Sequence, residues 1–290
     1  MPTLASKIMS RLKSKVIQEA ANSKTVEAIK ESLKTHEKEI FHREEDVEAH
    51  LAGYSDNRLN EYIIAKSRRW LESLNMQDFV IPPHVANLLL VIQASHNLLR
   101  RPLKIIDFGG GAPTVPLMLE QLGLAHVLAS YKIVESPAFV EHVPAQWHEH
   151  CNYSSVYDDE ECDLLILSSV LPYLSRGLVD SVLGSVRKTP PSLIYFGRTS
   201  FLSETYPQQE AFTIQESRYR DHGAQVDVGM ADVENNIARY VKRHFKWSSV
   251  AQVLDPLGYQ CHMQFVDDTG LENIKGLGLY TKNSLWRKNG

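Results

Sequence analysis

Cysteine is scarce in this 290-residue chain: Cys151, Cys162 and Cys261 are odd in number, widely spaced and without a C-x-x-C pair. That spacing gives neither a disulfide framework nor a zinc site, and a reducing cytoplasm is the simplest compartment. Long apolar runs are missing too. No stretch approaches the ~18 to 20 consecutive apolar residues that span a bilayer, and the first residues lack the apolar core of a secretory signal. Charge of one sign is not in excess, with 31 Lys and Arg against 35 Asp and Glu. A net charge of -4 supplies no global attraction to phosphate backbones, so nucleic acid is not the expected partner. No G-x-S-x-G elbow occurs, and no histidine–carboxylate cluster has metal-ligand spacing; Asp267-Asp268 and Asp158-Asp159-Glu160-Glu161 read as turns or solvated faces.

Glycine, by contrast, is concentrated where it matters. Ile105-Ile106-Asp107-Phe108-Gly109-Gly110-Gly111 is an apolar run closed by a carboxylate and three glycines, the pattern of a strand feeding a turn that lets backbone approach a ligand. A dinucleotide fingerprint would need a third glycine where Thr114 stands, and a P-loop would need a Lys-Ser/Thr pair that is absent. An acid just ahead of the glycines would repel a pyrophosphate but suits a ligand with a positive charge and an amino group, such as S-adenosylmethionine.

Asp107 to Gly111 resembles motif I of class I S-adenosylmethionine-dependent methyltransferases. Tyr131 to Pro137 resembles the second strand with its ribose-binding acid, and Asp163 to Leu174 the fourth strand and its turn. Arg198 to Phe201, Phe212 to Gln215 and the Gly53-Tyr54 segment resemble a methyltransferase family found among surface-polysaccharide biosynthesis functions. The resemblance spans about residues 47 to 280 and implies an α/β fold, a Rossmann-like seven-stranded methyltransferase sheet with a helical N-terminal extension. One departure is Pro113, where many class I enzymes carry glycine; proline fixes φ and removes a donor.

What the resemblance implies for the site is a cofactor set of Asp107, Gly109, Gly110, Gly111, Glu135, Ser168 and Ser169. Glu135 would take the ribose hydroxyls, and Asp107 either the cofactor amino group or the task of ordering the turn. Tyr173 would cover the site of methyl transfer. If the acceptor is a hydroxyl, a general base is needed, and His222 beside Asp221 is the candidate, with Arg198 placed to bind a carboxylate or phosphate. Gln215 is available for sugar hydroxyls. The expected activity is O-methylation of a sugar or other small molecule. A protein or nucleic-acid acceptor would instead require a continuous basic groove from Arg218, Arg220, Arg239, Lys242 and Arg243, and a non-catalytic scaffold would bind no cofactor.

Residues 1–102 read as a helical N-terminal region and 103–290 as the cofactor-binding domain. Ile8, Leu12 and Val16, then Val26, Ile29, Leu33 and Ile40, give one apolar stripe per segment. Seven basic residues against three acids in the first 35 allow peripheral membrane contact, beside the alternatives of packing on the domain or a sister subunit in a homo-oligomer. Helices are predicted from about Leu59 to Leu74 and from Pro83 or His84 to about Leu99. Beyond them alternate strand Lys104–Phe108, helix Val115–Leu122, strand Leu128–Val134, strand Asp163–Ser168, helix Ser175–Val186 and strand Ser192–Gly197. After Tyr206 the pattern loosens as far as Gly223. It resumes with a helix at Trp247–Leu254 and strands at Tyr259–Val266 and Gly278–Lys282.

Overall fold

Strands buried between two helical layers are apolar on both faces, and Leu103 to Phe108, apart from Lys104 and Asp107, and Leu164 to Leu167 meet that requirement. In the computed structural model, which describes residues 39–47, 57–73, 81–157, 159–218, 237–265 and 277–289, they form the middle of a seven-stranded sheet. Its strands are β1 (Leu103–Phe108), β2 (Leu128–Val134), β3 (Asn152–Ser154), β4 (Leu164–Ser168), β5 (Leu193–Phe201), β8 (Tyr259–Phe265) and β9 (Tyr280–Lys288); β6 (Glu210–Arg218) and β7 (Ile237–Phe245) make a separate antiparallel pair. The order is β3-β2-β1-β4-β5-β9-β8, parallel except that β9 runs against both neighbours. This is the Rossmann-like α/β sheet that the sequence led us to expect.

Helices cover both faces. α1 (Asn57–Ser73) precedes α2 (Pro83–Leu99), which opens with a proline and stops at Arg100 in the left-handed conformation. Val91 and Ile92 of α2 are fully buried against Met118 and Leu119 of α3 (Thr114–Gln121) and Ile105 and Ile133 of the sheet. Each such side chain contributes roughly 1.5–3 kcal/mol. A short helix, α4 (Pro137–Val140), follows β2 and is capped by the Ser136 hydroxyl. On the opposite face Val182 and Val186 of α5 (Arg176–Lys188) and Val250 and Leu254 of α6 (Trp247–Leu254) pack on Leu165, Leu167, Ile194 and Phe196.

Asp163 fastens the end of the sheet remote from the glycine turn. It is buried, pairs with Arg101 and accepts the Lys104 N–H at 2.9 Å, while its own backbone bridges β1 and β5.

Four strands differ from the sequence expectation. The supposedly loose stretch after Tyr206 contains β6, paired over its whole length with β7. Apolar Ala211, Phe212, Tyr240 and Phe245 are buried together with polar Thr213, Lys242 and His244, so no alternation of hydropathy marks the pair. β5 runs on through Arg198 to Phe201, and β9 extends to Lys288, because Asn283 and Ser284 are buried in it despite their polarity. The short β3 had no sequence signal. The helical stripes of residues 1–38 and His222 lie outside the described residues.

Candidate functional site

The direction of chain growth reverses between β1 and β4: β2 and β3 extend one side of β1, β4 and β5 the other. In open α/β sheets the crevice at the carboxyl ends of such strands is where ligands bind. Gly109, Gly110 and Gly111 sit at the carboxyl end of β1, beside that crevice. Gly109 has φ 74°, and a Cβ there would lie 2.7 Å from Val170, so the turn meets the β4 loop at glycine-only distance. A Cβ on Gly110 would lie 2.5 Å from the Asp107 carboxylate, which is tucked under the turn.

Asp107 therefore contacts the turn from within. Tyr131 donates to it at 2.7 Å, both groups being buried. Burial pushes the Asp107 carboxyl up to about 7; the Tyr131 hydrogen bond works against that shift and the neighbouring Glu135 adds to it.

Glu135, at the end of β2, accepts the Gly111 N–H at 3.1 Å through one oxygen and the Ser136 N–H at 3.1 Å through the other. Its carboxyl is raised by burial, against both backbone donors. Each oxygen retains a lone pair for a further donor. Tyr153 of β3 donates to the Gly111 carbonyl at 2.9 Å, so the turn is held from the β2 and β3 side of the sheet. Tyr153 was missed in the sequence because β3 itself was. Pro113 is buried, leads into α3, and has its carbonyl bonded to Leu117 N–H at 3.1 Å.

Across the crevice, Ser168 ends β4 and Ser169 adopts φ 59°, its N–H donating to Gly197 at 2.8 Å. On the next strand Arg198 has φ 49°, its N–H held by Asn283 Oδ1 at 2.7 Å, where the β5–β9 register shifts. Ser169 just past β4 and Arg198 within β5 are thus two non-glycine residues in the left-handed region, each storing strain of about 1–3 kcal/mol. Its guanidinium is partly exposed and has no hydrogen bond or ion pair among the described residues.

Tyr173, in the turn Leu171–Tyr173 after β4, donates to Gln215 Oε1 at 2.9 Å and packs edge-on against Tyr240, ring centroids 5.3 Å apart. Gln215 and Tyr240 are register partners on β6 and β7, so the hairpin closes over this turn. Its same face carries buried Thr213, Lys242 and His244, with His244 Nε2 3.0 Å from Thr213 Oγ1. Sequence reasoning missed Tyr240 and His244; their spacing with Lys242 at every second residue was the available signal.

The basic residues form no common groove among the described side chains. Lys242 is buried on one hairpin face, while Arg243 lies on the other with its Nε 3.3 Å from Glu210. No cluster of metal-ligating residues occurs among the described residues, and no helix among them is long and apolar enough to cross a membrane.

No family model matches the chain, and no curated protein matches it. Among solved structures it is similar to Burkholderia thailandensis 1,6-didemethyltoxoflavin-N1-methyltransferase with bound 1,6-didemethyltoxoflavin and S-adenosylhomocysteine: 14% identity, 84% of this chain and 94% of that one, TM-score 0.43. It is also similar to magnesium protoporphyrin IX methyltransferase from Synechocystis PCC 6803 with bound S-adenosylhomocysteine, at 12% identity over 80% and 98% of the chains, TM-score 0.44. A third is an S-adenosylmethionine-dependent methyltransferase from Clostridium acetobutylicum ATCC 824, at 10% identity over 78% and 99%, TM-score 0.46.

Proposed function

We propose that the chain is an S-adenosylmethionine-dependent methyltransferase acting at an oxygen of a small-molecule or carbohydrate acceptor, of the kind used in surface-polysaccharide biosynthesis, in the cytoplasm. The observation that carries the reading is the Glu135 carboxylate bonded to the Gly111 N–H beside a glycine turn at the sheet's switch point. Glu135 offers acceptors for vicinal hydroxyls, the turn offers backbone at close range, and Asp107 orders that turn from beneath.

S-adenosylmethionine supplies an electrophilic methyl group on a sulfonium. The chain's contribution is alignment, an effect that can supply up to ~7–11 kcal/mol in well-oriented reactions. Ser168 and Ser169 bound the far wall, and Tyr173, fixed by Gln215 and Tyr240, covers it. Arg198, strained and without an ion-pair partner among the described residues, suits a carboxylate or phosphate on the acceptor. His222 would take the proton of an acceptor hydroxyl.

Calorimetry with S-adenosylmethionine tests the cofactor: binding by the wild type is expected, with loss in Glu135→Ala. A folded sample that binds none defeats the proposal. Tritiated-methyl transfer onto nucleotide-sugars, oligosaccharides and small metabolites tests the acceptor, with Arg198→Ala and His222→Ala in parallel. Full activity in both variants would remove those two assignments.

A further inference from the structure

Asp107 lies directly beneath the backbone of Gly110, with Tyr131 as its hydrogen-bond donor. The strands on either side set apolar residues beside it, Ile133 of β2 and Ile166 of β4 in register. The titratable groups that face it are Tyr131 and Glu135 from β2 and its end, and Cys151 and Tyr153 at the start of β3. Among the described residues no lysine or arginine pairs with any of these five.

Burial holds the Tyr131 and Tyr153 hydroxyls above their ordinary range and lifts the Cys151 thiol to about 12, so all three stay neutral near neutral pH. Charge beneath the turn is therefore set by two carboxyls. Glu135 accepts two backbone N–H groups, an arrangement that favours its ionised form. Asp107 accepts one side-chain hydroxyl and is closed to solvent, so its proton is the one nearest to balance, at about 7. A cation seated above the turn would draw that proton off, because an opposite charge nearby favours the carboxylate, and the apolar surroundings screen the attraction weakly.

We propose that Asp107 is the charge sensor of this site, giving its proton to solvent when a sulfonium cofactor occupies the turn and keeping it when the neutral thioether product does. The inference rests on the methyl-transfer reading. S-adenosylmethionine carries one more positive charge than S-adenosylhomocysteine, at the sulfur. Because a proton leaves on binding, affinity for S-adenosylmethionine falls as pH drops below about 7, by up to about tenfold per pH unit, while affinity for S-adenosylhomocysteine changes less.

NMR of the full chain with isotope-labelled aspartate carboxyls tests this. The resonance missing from free Asp107→Asn should titrate near 7 in the free wild type. With saturating S-adenosylmethionine it should titrate at least about one pH unit lower, and with S-adenosylhomocysteine close to its free value. Calorimetry at pH 7 in phosphate and in Tris, buffers of different ionisation enthalpy, needs no variant. Proton release per S-adenosylmethionine bound should exceed that per S-adenosylhomocysteine, by up to about half a proton. Binding of both ligands with the Asp107 resonance unmoved or moved alike, or with equal proton release, overturns this inference and leaves the cofactor reading standing. A folded protein that binds neither ligand overturns both.

Discussion

Asp107 is buried with its carboxyl raised to about 7, so in the folded protein it holds a proton over a range where the unfolded chain has lost it. The contribution to stability is therefore full below the unfolded value near 3.8 and declines as pH rises through about 7. Urea unfolding across pH 4 to 8 should show wild-type stability falling by a few kcal/mol over that window relative to Asp107→Asn, whose amide does not titrate. Gly110→Ala tests the same corner sterically. Its methyl would lie 2.5 Å from a carboxylate oxygen and 2.6 Å from the carbon bearing it, so a loss of about 1–3 kcal/mol is expected together with weakened cofactor binding. Equal stability of variant and wild type would show that the turn is free to shift.

At the level of elements, the β6–β7 hairpin is fixed to the turn after β4 by Tyr173. Tyr173→Phe keeps the ring against Tyr240 and deletes only the donor to Gln215; stability should fall by about 1 kcal/mol in urea titration. Asp163→Ala acts at the other end of the sheet, leaving the Lys104 N–H and the Arg101 guanidinium without their acceptor, and should cost about 1–3 kcal/mol by the same measurement. The ease with which these elements could be read from sequence differs for physical reasons. Apart from Asp107 and Ser95, β1, β2, β4 and α2 are apolar where they are buried, and the glycines that end β1 announce a backbone turn. The hairpin buries Thr213, Lys242 and His244 beside Ala211, Phe212 and Phe245, and β9 buries Asn283 and Ser284 beside Leu285 and Trp286, so hydropathy does not pick out the inward residues. Their burial depends on partners brought from distant parts of the chain, as when Asn283 caps the Arg198 N–H across the sheet. The candidate cradle was legible as Asp107, the glycines and Glu135. Its supports, Tyr153 and the hairpin face, were not.

For the molecule as a whole, a cofactor that binds only the folded state should stabilise all of it. S-adenosylhomocysteine at one hundred times its dissociation constant adds about 2.7 kcal/mol by mass action. That should raise the melting temperature by several degrees in a thermal scan. Glu135→Ala should abolish the rise without changing the melting temperature of the free protein as much.

β9 follows every other described strand in chain order yet lies inside the sheet, hydrogen-bonded to β5 on one side and β8 on the other. During synthesis, β8 emerges before β9, the strand that must come to lie between it and β5. Until β9 has left the ribosome, β5 presents an open edge, Asn283 cannot hold the Arg198 bulge, and one wall of the candidate site is unformed. The growing chain thus acquires its glycine cradle before the strand that completes the opposite wall, so the two halves of the site are assembled at different times.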